Sequence, residues 1–389
     1  MLSIKWRINL QGNNVKTNVF PHTQAKLDLY SGYLEHYLRV LCNADFCKKI
    51  NLFDIYCGAG IYDDGKKGSP LLALDCIRKI RVEMNSSTKT TISISLCIND
   101  YDVKKVENIR DKADVKDIEN FTIEYHNKDA NEMLSLVSDS ISKYPKDNRN
   151  LIFIDPYGYS EIKKEKLISL LKNSCTEIVL FLPVMQMYRF TKTAFVHDEE
   201  PHYENLRNFI ISFFNDSNKI NVNSIFEYIH SLKEAFSINN TYYTCSHYLE
   251  RGNGSYYALF FIGSNIYGLE KMLETKWNLD PGKGKGFKQI EDPNQLTMFD
   301  DEIIEIDYLH EISTFEDIIY QAIVQYGLLT NIDMYELALK NEFLPKHANT
   351  ALKSLITKNK IRENNQPKGF GINYTNYRNK QVISRFEVL

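Results

Sequence analysis

The 389-residue sequence predicts an α/β fold with a mainly parallel sheet, followed by a smaller domain of a different kind. In the first half of the chain, short apolar runs alternate with amphipathic stretches, which is typical of strands connected by helices. After residue 313 this alternation gives way to three short helical segments and a glycine-containing ribbon. The length also exceeds what one compact core usually accommodates, so we expect two domains.

Composition excludes several other classes of protein. With 43% hydrophobic and 25% charged residues, the chain is unlike a disordered protein. No apolar run approaches the roughly 18 residues of a membrane span, and Met1–Arg7 carries charge where a signal peptide needs an apolar stretch. We therefore expect a cytoplasmic protein without a membrane partner. The seven cysteines include no Cys-x-x-Cys pair, so we expect reduced core thiols and no metal site.

A helix and five strands are predicted for the first part of the sheet domain. Residues 24 to 41 place apolar and aromatic side chains at helical spacing, which indicates an amphipathic helix. The apolar runs that follow are each succeeded by a turn or polar segment, as expected for parallel strands joined by helices. The predicted strands are Ile50–Tyr56, Ile92–Ile98, Phe121–His126, Leu151–Ile154 and Glu177–Pro183.

The second part of this domain begins with helical patterning near residues 186–240, which predicts an insertion or cap. Two apolar runs, Tyr242–Leu249 and Tyr256–Gly263, then flank a glycine-containing turn and predict an antiparallel hairpin. Five parallel strands closed by a hairpin are the strand inventory of class I methyltransferases. We therefore predict a Rossmann-like class I methyltransferase domain over residues 1–290.

The clearest local motif is the strand end Asp54-Ile-Tyr-Cys-Gly-Ala-Gly60. The missing side chains at Gly58 and Gly60 let the backbone approach a ligand at the carboxyl end of the first strand. The alternative is a tight turn without a ligand. The chain lacks a third glycine and a Walker sequence, which disfavours NAD and nucleoside triphosphates. We predict that Asp54, Tyr56, Gly58 and Gly60 contact a cofactor.

Two further aspartates fall where an adenosyl ligand needs partners. Asp100 follows the second strand, where a carboxylate can accept hydrogen bonds from both ribose hydroxyls. Asp129 follows the third strand, where an acceptor could meet the adenine amino group. Either residue alone could instead be a helix N-cap. Their positions after successive strands, together with the glycine turn, predict S-adenosylmethionine as the cofactor.

The fourth predicted strand ends in Asp155-Pro-Tyr-Gly158. In amino-group methylation the lone pair of the nucleophile is delocalised into the base, so acceptors must take the amino hydrogens and localise it. Asp155 and the carbonyl of Pro156 can supply those acceptors, and Tyr157 can stack on a base turned out of its strand. A plain Pro-Gly turn whose Asp caps the next helix is the alternative. No proline precedes a cysteine, which disfavours methylation of ring carbons.

Five segments together resemble the three-Cys-motif partner protein family over residues 20 to 300, and more remotely the ribosomal RNA adenine-N6 methyltransferases. This resemblance implies a class I fold that binds S-adenosylmethionine, with Lys26 and His22 near the cofactor or a phosphate. It also implies a three-cysteine radical-type protein as a partner. Amino methyltransferases usually have two prolines before the aromatic residue. Here there is one, so the register of Tyr157 and the target atom stay open. The segments are His22–Lys26, Asp54–Gly60, Gly68–Ala73, Ile154–Gly158 and Lys271–Trp277.

Charge separates the end of the chain from the rest. Residues 291–317 contain ten acidic residues and no lysine or arginine, and we predict an acidic linker over residues 291–312.

A capping box at Ser313–Glu316 predicts the first helix of a winged-helix domain over residues 313–389. Nine basic residues after Leu344 favour nucleic acid, either DNA or RNA, as its partner, and protein contacts are the alternative. The predicted phosphate contacts are Lys346, Lys353, Lys358, Lys360 and Arg362.

One short segment of the linker suggests a further partner. Gln295-Leu-Thr-Met-Phe299 resembles the peptides by which bacterial proteins dock on the replication sliding clamp. The alternative is that its apolar side chains pin the linker to the core. For the whole chain we predict a methyltransferase that acts on nucleic acid, most simply at an exocyclic amino group. The alternatives are a non-catalytic partner or sensor with the same fold, and an enzyme that methylates a protein or small molecule.

Overall fold

The computed structural model describes residues 20–84, 92–159, 162–196, 200–214, 222–252, 254–288, 300–364 and 369–389. Its centre is an eight-stranded sheet with the order β3-β2-β1-β4-β5-β7-β6-β8. Strands β1 to β5 are parallel, and β7 runs antiparallel to both β5 and β6. The strands are β1 (Lys49–Asp54), β2 (Ser93–Asn99), β3 (Phe121–His126), β4 (Asn148–Ile154), β5 (Thr176–Leu182), β6 (Tyr243–Glu250), β7 (Tyr256–Gly263) and β8 (Gly286–Phe287).

This sheet is that of the Rossmann-like class I methyltransferase fold, which confirms the predicted fold class. All five predicted parallel strands and both hairpin strands are present, with ends within three residues of the prediction. The central strands are buried on both faces, which is why they appear in the sequence as continuous apolar runs. Strand β8 was not predicted, because two residues carry no periodicity.

Helices cover both faces of the sheet. One apolar cluster joins one face to the first three helices and to α9, and a second cluster joins the other face to α4 through α8. Near the predicted insertion at residues 186–240, the described residues between β5 and β6 form three α-helices and a short 3₁₀ helix, Pro201–Tyr203, and their role as an insertion or cap stays a prediction. The helices are α1 (Pro21–Cys42), α2 (Ser69–Met84), α3 (Val103–Lys112), α4 (Ala130–Lys143), α5 (Lys164–Leu171), α6 (Val184–Val196), α7 (Glu204–Phe214), α8 (Ile225–Phe236) and α9 (Ile266–Leu279).

The C-terminal part contains the predicted three helices and ribbon, together with a short strand and a short helix that were not predicted. Its three strands form an antiparallel sheet in the order β10-β11-β9. Its winged-helix assignment stays a prediction. The elements are α10 (Asp300–Tyr326), β9 (Leu328–Thr330), α11 (Asn331–Lys340), α12 (Pro345–Thr357), β10 (Ile361–Asn364), α13 (Tyr374–Arg378) and β11 (Arg385–Val388).

The predicted linker is wrong for residues 300–312, because they belong to α10. The predicted helix start at Ser313 is wrong for the same reason, since Ser313 lies in the middle of that helix. Two of its acidic side chains are paired: Asp307 lies 3.0 Å from Lys283, and Glu311 bonds Lys285, both in the turn before β8. Paired acids can lie on a packed helix, whereas the sequence pattern alone resembles a solvated linker. The candidate clamp-binding segment Gln295–Phe299 lies outside the described residues.

A polar junction joins the C-terminal part to the sheet domain. Glu342 accepts from Lys276 and lies 3.1 Å from Lys233, and its backbone carbonyl accepts from Trp277 Nε1 at 2.9 Å. Burial alone would raise the pKa of Glu342, but the two ammonium groups outweigh it and lower the pKa to about 2. The segment Lys271–Trp277, which was one of the five motifs in the sequence, therefore helps to hold the C-terminal part against the sheet domain.

Two smaller expectations concern thiols and membranes. All seven cysteines are free and six are buried, which confirms the interpretation as reduced thiols. Within the described ranges, no helix combines the length and apolarity that crossing a membrane requires.

Candidate functional site

The glycine turn after β1 opens into a cavity of about 330 Å³ at the carboxyl end of the parallel strands. Gly58 and Gly60 have φ values of +61° and +77°, a conformation that favours glycine. A Cβ at Gly60 would lie 2.5 Å from Ile109, so close packing requires this glycine. A Cβ at Gly58 would meet nothing within 4 Å, so this position opens into the cavity. Tyr56 also lines the cavity.

Asp54, at the end of β1, has a buried carboxylate without a partner. The residue is 1% exposed, and neither carboxylate oxygen has a hydrogen bond among the described residues. Burial raises its pKa to about 7; the neighbouring hydroxyl of Ser69 and the charge of Lys26 oppose the increase, and the carboxylates of Asp155 and Asp100 add to it. A buried acceptor without a donor costs free energy, which a ligand bearing an ammonium or hydroxyl group would recover.

Asp100 follows β2 and holds the glycine turn in place. The residue is 3% exposed, and its carboxylate accepts from the backbone N–H of Gly58 at 3.1 Å and from that of Asp102 at 2.9 Å. Lys105 on α3 donates to the same carboxylate at 3.3 Å. Asp100 therefore lies beside the cavity, as predicted, with its oxygens already engaged. Its predicted contact with ribose stays a prediction.

Asp129 is the N-cap of α4, so the alternative interpretation as a cap is confirmed. Its carboxylate accepts from the backbone N–H groups of Asn131 at 2.9 Å and Glu132 at 3.3 Å. The residue is exposed and is not among those that line the cavity. An adenine contact through its second oxygen stays a prediction.

The predicted catalytic residues Asp155, Pro156 and Tyr157 all line the cavity. The ammonium of Lys26 lies 2.5 Å from Asp155 Oδ2 and also stacks over the ring of Phe181 at 4.6 Å. Burial alone would lower the pKa of Lys26, but Asp155 outweighs burial and raises it. The ion pair engages Oδ2 and leaves Oδ1 as the other acceptor of Asp155.

Tyr157 stands at the rim of the cavity with 76% of its surface exposed. Lys105 contacts its hydroxyl, and the ammonium lies 5.0 Å from the ring centroid. Lys105 thus bridges Asp100 and Tyr157 across the cavity. Lys105 could not be identified from the sequence, because a lysine in the first turn of an ordinary helix carries no distinctive signal.

His22 lies one helical turn before Lys26 but behind the cavity wall. Its ring is stacked on Phe20 and Tyr257, each at a centroid distance of 5.6 Å. Burial, followed by the charges of Arg251 and Lys26, lowers the pKa of His22 to about 4. The imidazole is therefore neutral at pH 7, and of the predicted basic pair only Lys26 lines the cavity.

The predicted phosphate contacts lie on α12 and in the segment that follows it, and all five are exposed. Two of them are already paired within the protein: Lys358 lies 2.5 Å from Glu316, and Arg362 lies 2.6 Å from Glu387. Lys360 stacks over the ring of Tyr320 at 5.3 Å. Among the described residues, Lys346 and Lys353 have no ion pair and are the cations most available to a phosphate.

A cluster of potential metal ligands occurs on β2 and β3, where the ligand atoms of Cys97, Glu124 and His126 lie within 4.8 Å of one another. No sequence motif indicated it. Burial, followed by the charge of Glu124, raises the pKa of Cys97 to about 12. Because a protonated thiol is a poor ligand, this arrangement does not by itself indicate a metal centre.

Comparisons with known proteins add little to this geometry. No family model and no curated protein matches the chain. Among solved structures, a loganic acid methyltransferase with SAH is similar at 9% identity, with 79% of this chain and 93% of that chain covered and a TM-score of 0.29. At that level of similarity we infer nothing about function, and the fold assignment rests on the strand order.

Proposed function

We propose that this protein is a methyltransferase that uses S-adenosylmethionine and acts on nucleic acid, most simply at an exocyclic amino group. One observation carries the proposal: a single cavity joins the open side of Gly58 to Asp155, Pro156 and Tyr157. In open α/β sheets, ligands bind at this carboxyl edge of the strands.

The residues around the cavity fit the cofactor. Asp54 directly precedes the glycine turn but does not itself line the cavity, and its buried carboxylate would suit an ammonium group that reaches past the turn; the backbone around Gly58 admits close approach. Asp100 would hold the ribose if its hydroxyls replaced the ammonium of Lys105, whose contact at 3.3 Å is the longest of those described above. S-adenosylmethionine supplies an activated methyl group when it is bound.

The chain's own residues would prepare the acceptor. Asp155 Oδ1 and the carbonyl of Pro156 would accept the two hydrogens of an amino group and localise its lone pair. Lys26 would fix the orientation of Asp155 through the 2.5 Å contact to Oδ2. The exposed ring of Tyr157 would stack on the base. Most of the rate enhancement would then come from positioning.

Nucleic acid as the substrate is supported by the exposed cations of α12, above all Lys346 and Lys353. The test is transfer of a tritiated methyl group to bulk DNA, RNA and protein by the full chain, with Asp155→Asn as the control. Label in DNA or RNA that is lost in the control supports the proposal. Label only in protein, or equal label with the control, contradicts it.

A second candidate function is a sensor or partner protein that binds S-adenosylmethionine without turnover. Two contacts favour it, because Lys26 occupies one oxygen of Asp155 and Lys105 contacts the hydroxyl of Tyr157. Both groups that would meet a base are thus engaged within the protein. Binding of the cofactor with no transfer to any of the three polymers would select this function.

A further inference from the structure

A second and larger cavity lies at the opposite end of the sheet from the glycine turn. Its volume is about 540 Å³. Arg149 near the start of β4, Glu177 near the start of β5 and Ser264 just after β7 line it, together with side chains of α1 and α13. Since β5 has seven residues, roughly 20 Å separates this cavity from the candidate cofactor site.

The interior of this cavity presents polar groups that have no partner. Tyr37 is 6% exposed, and its hydroxyl has no hydrogen bond among the described residues; the same holds for Ser264 Oγ. Beside them Glu177 accepts from Tyr33, and burial raises the pKa of Glu177 to about 7. Buried hydroxyls without partners are rare in folded proteins, so these groups indicate a polar ligand.

Glycines in α9 and β7 make room for the Glu177 carboxyl group. A Cβ at Gly268 would lie 2.2 Å from Glu177 Oε1, and a Cβ at Gly263 would lie 3.2 Å from Glu177 Cγ. The carboxyl group can therefore lie against α9 only because these positions carry no side chain. The position of the Glu177 carboxyl group at the cavity wall therefore depends on glycine at both positions.

Flat aromatic rings form much of the remaining wall. Tyr267 and Tyr374 are stacked with centroids 4.1 Å apart, so the sheet domain and the C-terminal part meet at this wall. The guanidinium of Arg149 is stacked over Phe46 at 4.7 Å. Surfaces of this kind favour a planar ligand.

The cavity also has an excess of positive charge. Lys271 is paired with Glu274 at 2.7 Å, but Arg149 and Arg378 form no ion pair with any described carboxylate. Arg149 instead donates through Nη1 to the backbone carbonyls of Lys146 and Asn148 and to the sulfur of Cys175, which leaves Nη2 and Nε for a ligand. Glu177 also lines the cavity, but neither guanidinium forms an ion pair with it; two guanidinium groups that no described carboxylate contacts directly favour an anionic group on the ligand.

From these features we infer that the cavity binds a small planar aromatic anion of the size of a nucleoside monophosphate. The ring lies along the tyrosine wall with its polar edge at Tyr37, Ser264 and Glu177, and the phosphate meets Arg149 and Arg378. The volume lies within the range of small-molecule sites. This site is separate from the candidate cofactor site and does not depend on the proposed function.

The test is calorimetry of the full chain with GMP and AMP, with guanosine and inorganic phosphate as the two halves of the ligand. All titrations use the Gly58→Val background, so that binding at the glycine turn does not contribute. We expect GMP or AMP to bind, and guanosine and phosphate to bind at least tenfold more weakly. No binding of either nucleotide at about 1 mM would overturn the inference.

Three variants then test whether the nucleotide binds at this cavity. Tyr37→Phe removes only the unpartnered hydroxyl, and Arg378→Ala removes an exposed cation, so neither should impair folding. Each should weaken nucleotide binding about fivefold or more. Arg385→Ala, an exposed arginine of the same part of the chain that does not line the cavity, is the matched control and should leave binding unchanged. Equal binding by all three variants would place the nucleotide elsewhere and contradict the inference.

Discussion

The ammonium of Lys26 lies 2.5 Å from the carboxylate of Asp155, and the two residues are 129 positions apart in the sequence. The pair joins the first helix to the end of β4, at the point where the candidate catalytic motif lines the cavity. The ion pair gives a structural reason for the presence of Lys26 before the first strand and of Asp155 after the fourth. Each residue needs the other, because a lone charge with so little exposure would be costly.

Asp155→Asn is expected to lower methyl transfer by about 10² or more while cofactor affinity stays nearly unchanged. With Lys26 held by one side-chain atom, the amide would present its NH2 group, a donor, where the carboxylate presents the acceptor Oδ1, and it also loses the charge that holds Lys26. Single-turnover rates and calorimetry would measure the two effects separately. Asp129→Asn is the control, since Asn also caps helices and Asp129 does not line the cavity. Transfer at the wild-type rate by Asp155→Asn would exclude this role.

Asp54 should make the protein less stable as pH rises. Its folded pKa of about 7 lies above its ordinary value of 3.8, so between these values the folded state holds a proton that the unfolded state has lost. The contribution of this group to stability is therefore greatest below pH 3.8, and roughly 4 kcal/mol is lost as pH rises through 7.

Urea unfolding at pH 5 and pH 8 should show a smaller difference in the free energy of unfolding for Asp54→Asn than for the wild type. Glu177 contributes with the same sign in both proteins, so only the difference between them is informative. An unchanged difference would contradict the burial argument.

Glu342 has the opposite dependence on pH. Its folded pKa of about 2 lies below its ordinary value of 4.5, so its contribution is complete above pH 4.5 and is lost as pH falls toward 2. Glu342→Gln leaves buried Lys276 without a counter-charge and Lys233 with Glu234 alone, and should lower the free energy of unfolding by roughly 3 kcal/mol at pH 7. Glu336→Gln, which removes an exposed ion pair with Lys340, should cost less than about 1 kcal/mol. Equal losses in the two variants would mean that the junction contributes little.

If α12 contacts nucleic acid, Lys346 and Lys353 should matter more than the cations that are already paired. Replacing both by Ala should reduce the log–log salt slope of duplex binding by about 1.8, since each phosphate contact contributes about 0.9. Lys358→Ala with Arg362→Ala should reduce it by less, because these residues neutralise Glu316 and Glu387. Filter binding at several salt concentrations is the measurement. Affinity that does not depend on salt would favour protein contacts instead.

The sequence predicted the sheet because its strands are buried on both faces and therefore appear as uninterrupted apolar runs. It also located the cavity, because Gly58 and the Asp155 motif both end strands at one edge. It could not predict the pairing of Lys26 with Asp155 or the bridge of Lys105, since these depend on side chains brought together from distant elements. The start of α10 was missed because Asp307 and Glu311 form ion pairs with lysines 24 and 26 residues earlier in the chain. In the sequence, acidic residues whose lysine partners cannot be recognised have the same pattern as a solvated linker.

The most direct test of the account is calorimetry of the pure full chain with S-adenosylmethionine and S-adenosylhomocysteine. We expect both to bind with dissociation constants below about 1 mM. Gly58→Val should abolish this binding, because its branched side chain would enter the cavity. Gly327→Val is the matched control, since Gly327 also has positive φ and open surroundings but lies far along the chain after α10. Binding by the wild type and by Gly327→Val, but not by Gly58→Val, is the predicted result. No binding of either compound to the wild type at millimolar concentration would contradict the central claim.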